Sequence, residues 1–328
     1  MVRLLSSSDM VSILSMQDVI HVVEEGFRTM NLQEDHIPVR LPLNVSDKAA
    51  VALFMPAYLS ASQTLGAKTV TVFPDNPSHG VPVIMGYYTL CDAVTGKLIA
   101  LMDATYLTGI RTAAASAVAT KYLARKEARR LGIIGAGVQA RFHAMAMMAV
   151  RSVDEIMVYN RSVEQGEKLV QELTARYAIP IHFMDTPDSC AAEADILVTC
   201  TATKEPLFDG KVLKAGTHIN AIGAYTPDMR ELDSHTIREA LVFVDTYEGA
   251  FEEAGDILIP LSEGVITREH IRAELTELVR GLKSGRTNEL AITVFKSVGY
   301  AMEDAVTARL AYGKAVERDI GMTFDLDA

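Results

Sequence analysis

A chain of 328 residues, 49% of them hydrophobic, can bury a substantial core and points to two medium domains. Asp and Glu number 42 against 31 Lys and Arg, and the formal charge of -11 repels polyanions, which argues against nucleic acid and leaves small ligands as partners. Cys91, Cys190 and Cys200 show neither zinc-site spacing nor the even count of a disulfide framework, so a cytoplasmic location fits; serines break up the first 16 residues where a secretory signal would need an apolar stretch, and no run approaches a membrane span.

In residues 17–30 the apolar positions Val19, Ile20, Val22, Val23, Phe27 and Met30 recur at helical spacing, which predicts a core-facing helix. Strands are expected at 67–73 and 81–90, then a turn at Asp92-Ala93-Val94-Thr95-Gly96 and a further strand at 97–102. An Ala-rich helix over 108–125 leads out of this helix-plus-sheet region. Short apolar strands at 131–134, 155–159, 181–184, 196–200, 217–222 and 241–245 then alternate with helical patterns, the signature of βαβ units and a mostly parallel sheet. Residues 291–316 read as a long Ala-rich helix that packs back on the first domain. The expected fold class is α/β: a Rossmann-type doubly wound parallel sheet over 125–299, and a separate α+β substrate and dimerisation domain over 1–124 completed by 300–328.

The run Gly135-Ala136-Gly137-Val138-Gln139-Ala140 follows a predicted strand and opens a predicted helix, with a second strand ending about 20 residues on. In such a fingerprint Gly135 permits the tight turn, Gly137 lets backbone N–H groups approach a pyrophosphate, and the first helical residues, Val138 and Gln139, present the positive end of the helix dipole. The second strand leads into Asn160-Arg161-Ser162, where an NAD-specific protein places an acid for the ribose 2′-hydroxyl. No acid stands there. Asn160 and Ser162 can hydrogen-bond a 2′-phosphate and Arg161 can pair with it, so NADP(H) is the preferred cofactor, with NAD(H) as the second option; the other reading of Arg161 is a solvated loop residue.

Arg40 after Pro38, Gly66-Ala67-Lys68, Thr108-Gly109-Ile110-Arg111-Thr112-Ala113-Ala114-Ala115-Ser116, the glycine fingerprint and Ile219-Asn220-Ala221-Ile222-Gly223 together resemble the ornithine cyclodeaminase and μ-crystallin family along nearly the whole chain. The resemblance implies a dimerising substrate domain beside a Rossmann domain, hence a homodimer, with a substrate carboxylate held by Arg40 and Arg111, and with Lys68 either holding it too or keeping a proton supply in reach of the substrate nitrogen. A carboxylate needs such convergent donors, and Arg can bind it bidentately. Arg111 is also expected near a helix start, where the dipole attracts an anion. The resemblance places Thr112 at the cofactor phosphates and Ser297 near the nicotinamide, although Ser297 also reads as a helix cap before Tyr300.

Departures from the family pattern bear on the reaction. Tyr225 stands where ornithine-cyclising members carry a catalytic Asp, and Leu53 where they carry a Glu for the distal amine; a buried ammonium without a carboxylate is costly, so ornithine fits poorly. The segment Pro227-Asp228-Met229-Arg230-Glu231-Leu232 instead resembles the ketimine-reducing branch, with Asp228 either orienting a donor or belonging simply to a turn. The expected activity is therefore NAD(P)H-dependent reduction of a small cyclic α-imino acid, of the pyrroline- or piperideine-carboxylate type, to an L-amino acid such as proline. Ornithine cyclodeamination, an alanine-type dehydrogenase, hydroxyproline dehydration and a non-catalytic ligand-binding crystallin-like protein are the alternatives. The eight histidines are scattered without metal-site spacing, no metal is expected, and no Gly-x-Ser-x-Gly supports a serine hydrolase.

Overall fold

In the computed structural model, which describes residues 1–45 and 50–326, two of the serines that interrupt the amino terminus serve as helix caps. After β1 (Val2–Leu5), Ser6 closes a capping box with Asp9 at the start of α1 (Ser7–Ile13), and Ser15 caps α2 (Met16–Thr29), which buries Val19, Ile20, Val23 and Phe27 as the periodicity predicts. There follow β2 (Leu41–Val45), β3 (Ala50–Leu59), β4 (Thr64–Val72), β5 (Ile84–Asp92), β6 (Leu98–Asp103) and the helix α3 (Ala104–Leu123). Strands β2 and β3 were not foreseen, because Ala50–Leu59 is apolar on both faces and carries Pro56, so no alternation marks it.

The parallel succession is β7 (Arg130–Ile134), α4 (Val138–Val150), β8 (Glu155–Tyr159), α5 (Val163–Arg176), β9 (Ile181–Phe183), α6 (Pro187–Glu193), β10 (Ile196–Thr199), β11 (His218–Ala221), α7 (Ser234–Glu239) and β12 (Leu241–Val244). It continues through α8 (Tyr247–Glu253), α9 (Gly255–Ser262), β13 (Ile271–Glu274), α10 (Leu275–Val279) and β14 (Thr293–Lys296), and the chain closes with α11 (Ala301–Glu317) and β15 (Met322–Phe324). The expected single helix over 291–316 is corrected here. Thr293–Lys296 is a fully buried strand between β11 and β12, and four residues buried on both faces are too few for periodicity to tell strand from helix turn.

Two compact units result: Met1–Thr112 with Tyr300–Ala328, and Ala113–Gly299. Residues 46–49 and 327–328, the latter ending the segment expected to complete the first domain, lie outside the described residues. The expected boundary at 124 and the observed one both involve α3, whose residues belong to both units. The first unit carries a seven-stranded mixed sheet in the order β15-β1-β6-β5-β4-β3-β2; the second carries an eight-stranded sheet, β13-β12-β14-β11-β10-β7-β8-β9, paired in parallel throughout. This second order reverses direction between β7 and β10, and ligands of open parallel sheets bind at the carboxyl ends beside such a switch point. No helix among the described residues is long and apolar enough to cross a membrane.

Candidate active site

In the second unit, β7 runs straight into the glycine fingerprint. Gly135 has φ +121°, a conformation that side chains rarely adopt, and an added Cβ would lie 2.9 Å from the Cys200 carbonyl oxygen on the loop after β10. Gly137 is the N-cap of α4 and makes no side-chain cap bond; its φ of -79° is open to any residue, yet a Cβ there meets nothing within 4 Å. The first amides of α4 are thus left without side-chain partners beneath open space, and Val138 in that turn is 55% exposed. A cavity of about 410 Å³ opens there, lined by Gly135, Gly137, Asn160, Arg161 and Thr201 among others. These features fit a dinucleotide pyrophosphate: a cradle that a Cβ would fill, an uncapped helix N-terminus, and a position at the switch point.

Side chains outside the cradle hold it in shape. Arg141 donates to the Ala136 and Gly137 carbonyl oxygens at 2.8 and 2.9 Å and pairs with Glu172 at 2.6 Å, bracing the turn from its helix. His143 Nδ1 lies 2.9 Å from the Gln139 carbonyl oxygen, which can only accept, so Nε2 accepts from the Ser116 hydroxyl at 2.9 Å. Burial pushes His143 down to about 4 and keeps it neutral. Asn160 Nδ2 donates to the Ser162 carbonyl at 2.9 Å, Ser162 caps α5, and Arg161 is exposed at the cavity.

The first unit brings together charges that lie far apart in sequence. Register places Met55, Lys68, Tyr88 and Met102 in one cross-strand row, and this face is buried, with Lys68 only 1% exposed. The Lys68 ammonium sits 2.7 Å from Asp304 Oδ2; Arg111 Nε is 2.8 Å from the other oxygen of Asp304, and Arg111 Nη1 is 2.7 Å from Glu303 Oε2. Asp304 therefore bridges the two cations. Both acids lie in the first turn of α11, where the helix dipole favours negative charge. Burial, with the Arg111 charge beside it, pushes Lys68 down to about 8 against the opposing pull of Asp304.

The remaining predicted residues fall in different surroundings. Arg40, half-buried, immediately precedes β2; extending the β2–β3 register by one residue sets it opposite Met55, in the row of Lys68. Thr112 is buried next to Arg111 on α3. Arg111 is well inside that helix, which begins at Ala104, so the helix start does not supply the expected dipole attraction. Ser297 does not cap α11. Its hydroxyl donates to Asp245 Oδ2 at 3.0 Å, and the same oxygen accepts from Val298 N and Gly299 N at 2.8 Å each. Asp228 is exposed, paired with Lys204 at 2.5 Å and accepting from Thr226 at 2.7 Å, and these partners hold its carboxyl below the usual range.

Sequence reasoning missed Glu303, Asp304 and Arg141. The signal for the first two was present: adjacent acids within the small apolar stretch Ala301-Met302-Glu303-Asp304-Ala305 are misplaced for a core-facing helix unless cations meet them.

A parallel dinucleotide-type unit with a glycine cradle, joined in one chain to a mixed-sheet unit with buried Lys and Arg, defines the class; the chain belongs to the ornithine cyclodeaminase/mu-crystallin family, whose model matches residues 2–319. It is 39% identical over 318 residues to a Delta(1)-pyrroline-2-carboxylate reductase of Bacillus cereus, covering 97% of this chain and 98% of that one. Among solved structures it is similar to Thermococcus litoralis Delta(1)-pyrroline-2-carboxylate reductase in complex with NADH and L-proline, with TM-score 0.95 and 42% identity over 98% of this chain and 100% of that one. An archaeal alanine dehydrogenase dimer with bound NAD gives TM-score 0.93 and 34% identity over 99% of each chain.

Proposed function

We propose that this chain is an NAD(P)H-dependent reductase of Δ1-pyrroline-2-carboxylate or its six-membered homologue, giving an L-amino acid such as proline. The observation that carries the reading is the full-length likeness to a reductase held with NADH and L-proline, in a chain that keeps both the open glycine cradle and the buried Lys68–Arg111 pair. Reduction of C=N to CH–NH takes one hydride and one proton, and a bound nicotinamide supplies the hydride. Gly135, Gly137 and the α4 amides hold the pyrophosphate. Arg40, Lys68 and Arg111 hold the substrate carboxylate and fix the ring. A protonated imine is already electrophilic, so the chain needs no strong acid where Tyr225 stands.

The cross-strand row next to that of Lys68 consists of Leu53, Val70 and Gly86, paired across β3, β4 and β5. It offers no carboxylate to a distal ammonium, which favours an uncharged ring over ornithine. The test is NADPH oxidation, followed by absorbance, with each cyclic imino acid, with pyruvate with and without ammonia, and with ornithine and NAD. Turnover of the cyclic imines without ammonia is expected. The likeness to alanine dehydrogenase favours a second reading, for which oxidation with pyruvate only when ammonia is present would decide.

No acid follows β8, and Arg161 lies exposed at the cavity beside Asn160, which supports NADP(H) over NAD(H). Arg161→Ala is expected to raise the NADPH KM about tenfold, the scale of one charge-assisted phosphate contact, with little change for NADH. Equal effects on both nucleotides would remove Arg161 from the 2′-phosphate.

Lys68 loses its proton as pH rises through about 8. Affinity for L-proline, whose carboxylate is charged throughout this range, is accordingly expected to fall above that pH in calorimetric titrations of the nucleotide complex; a flat profile to pH 9.5 would take Lys68 out of the clamp.

A homodimer through the first unit also belongs to this reading. The sheet face opposite Lys68 carries Leu41, Phe54 and Tyr87 in one cross-strand row, exposed to 64%, 38% and 48%, with Leu43 and Met85 in the next. Thr69 and Thr71 of β4 lie between these side chains, and exposed apolar groups gathered on one sheet face mark an interaction surface. Sedimentation velocity at micromolar concentration is expected to give twice the monomer mass, and Phe54→Asp to lower it. Cytoplasmic location suits the three free cysteines.

A further inference from the structure

The second unit contains a buried carboxylate that the proposed chemistry does not use. Glu231, fully buried in the loop before α7, accepts four hydrogen bonds: Oε1 from Thr201 N at 2.6 Å and Thr201 Oγ1 at 2.8 Å, Oε2 from Thr199 Oγ1 at 2.8 Å and Gly223 N at 2.7 Å. Thr199 ends β10, Thr201 belongs to the loop after it, and Gly223 belongs to the loop after β11, so one carboxylate ties together the exits of two adjacent parallel strands. The Glu231 amide is itself anchored: it and Leu232 N donate to Asp256 Oδ1 at 2.7 and 2.9 Å, and Asp256 Oδ2 lies 3.0 Å from the buried Lys296 ammonium at the end of β14.

The loops so tied form a wall of the cradle. Thr201 lines the cavity with Gly135 and Gly137. A Cβ on Gly223 would fall 2.0 Å from the Thr201 carbonyl oxygen, so the two loops abut, and a Cβ on Gly135 would fall 2.9 Å from the Cys200 carbonyl oxygen, so that wall abuts the glycine turn. Contact is continuous from Glu231 through Thr201 and Cys200 to Gly135.

We propose that Glu231 is a positioning residue for the dinucleotide site, holding the Cys200–Thr201 wall against the glycine turn without touching the nucleotide. The proposal rests on the reading of this cavity as the nucleotide site. Carboxylate chemistry is specific to the role. In Glu231→Gln one end of the side chain becomes an NH2 group, and whichever way the amide turns, that NH2 faces a backbone N–H, of Thr201 or of Gly223.

The test measures the NADPH and NADH dissociation constants by calorimetry for wild type, Glu231→Gln and Thr199→Val, beside circular dichroism, Tm, and steady-state kinetics with pyrroline-2-carboxylate. Thr199 does not line the cavity, and its near-isosteric replacement removes one bond to Glu231, so it keeps the proposal testable if Glu231→Gln fails to fold. The expected result is nucleotide affinity weaker by about tenfold in folded Glu231→Gln and about threefold in Thr199→Val, with kcat at saturating nucleotide changed far less. Unchanged nucleotide affinity in folded variants that have only lost Tm would overturn the proposal and leave Glu231 a stabilising group. A wild-type protein that binds neither nucleotide would overturn the site reading itself, a distinguishable failure.

Discussion

Arg111→Ala is expected to raise the KM for pyrroline-2-carboxylate by at least about 100-fold or to abolish turnover, while the nucleotide dissociation constant stays within about twofold of wild type. Arg111 makes two separate ion pairs, Nε with Asp304 and Nη1 with Glu303, at 2.8 and 2.7 Å in a buried setting. Its removal takes a guanidinium from the proposed carboxylate clamp and takes cationic partners from two buried acids at once. Breaking one side of a buried ion pair costs about 3–5 kcal/mol, so a fall in stability of that order is expected in urea or thermal denaturation. The two effects separate in Arg111→Lys, which keeps a positive charge for the acids but cannot present the planar fork: stability is expected to recover more than KM does. An Arg111→Ala enzyme that folds and keeps its KM would sink the clamp.

Gly137→Asp is expected to abolish measurable nucleotide binding, a loss of at least about 100-fold, in a protein no less stable than wild type. Stability is spared for three local reasons: the φ of -79° suits any residue, a Cβ meets nothing within 4 Å, and Asp is a slightly better N-cap than Gly, by a few tenths of a kcal/mol, for the uncapped helix α4. The side chain would nonetheless occupy the space where a pyrophosphate lies and set a negative charge against it. Gly135→Ala provides the contrast, because the φ of +121° and the nearby Cys200 carbonyl make that change costly to the fold itself. Calorimetry with NADPH beside a thermal melt measures both quantities. Retained nucleotide affinity in Gly137→Asp would move the pyrophosphate away from α4.

The dinucleotide half was legible because its signals are local. The fingerprint, the strand before it and the helix after it lie within two dozen residues, and backbone geometry at Gly135 and Gly137 follows from the absence of Cβ atoms. The absence of an acid after β8 was likewise open to reading. Strands β3 and β14 were not, since β3 is apolar on both faces and β14 is four residues buried on both, so neither shows the period that separates strand from helix.

The substrate half shows the other case. Sequence and family resemblance singled out Lys68 and Arg111 as cations, but nothing within several residues of either says what neutralises them. Glu303 arrives from 192 positions beyond Arg111, with Asp304 next to it, delivered by a helix that packs on the sheet after the whole parallel unit has intervened. Glu231 and Asp245 are similar: one lies in the segment 227–232 and the other ends the strand expected at 241–245, and only the fold makes them buried ties between strand ends.

Sequence by itself determined the two-part plan, the Rossmann-type unit and the glycine turn, and it singled out Lys68 and Arg111 as cations, because turns, helix periods and glycine requirements are properties of neighbouring residues. Only the tertiary structure decided which acids meet Lys68 and Arg111, what braces the glycine turn and which sheet face leaves Leu41, Phe54 and Tyr87 exposed. Those depend on which distant groups share one buried volume, where low dielectric makes each pairing strong and each missing partner costly.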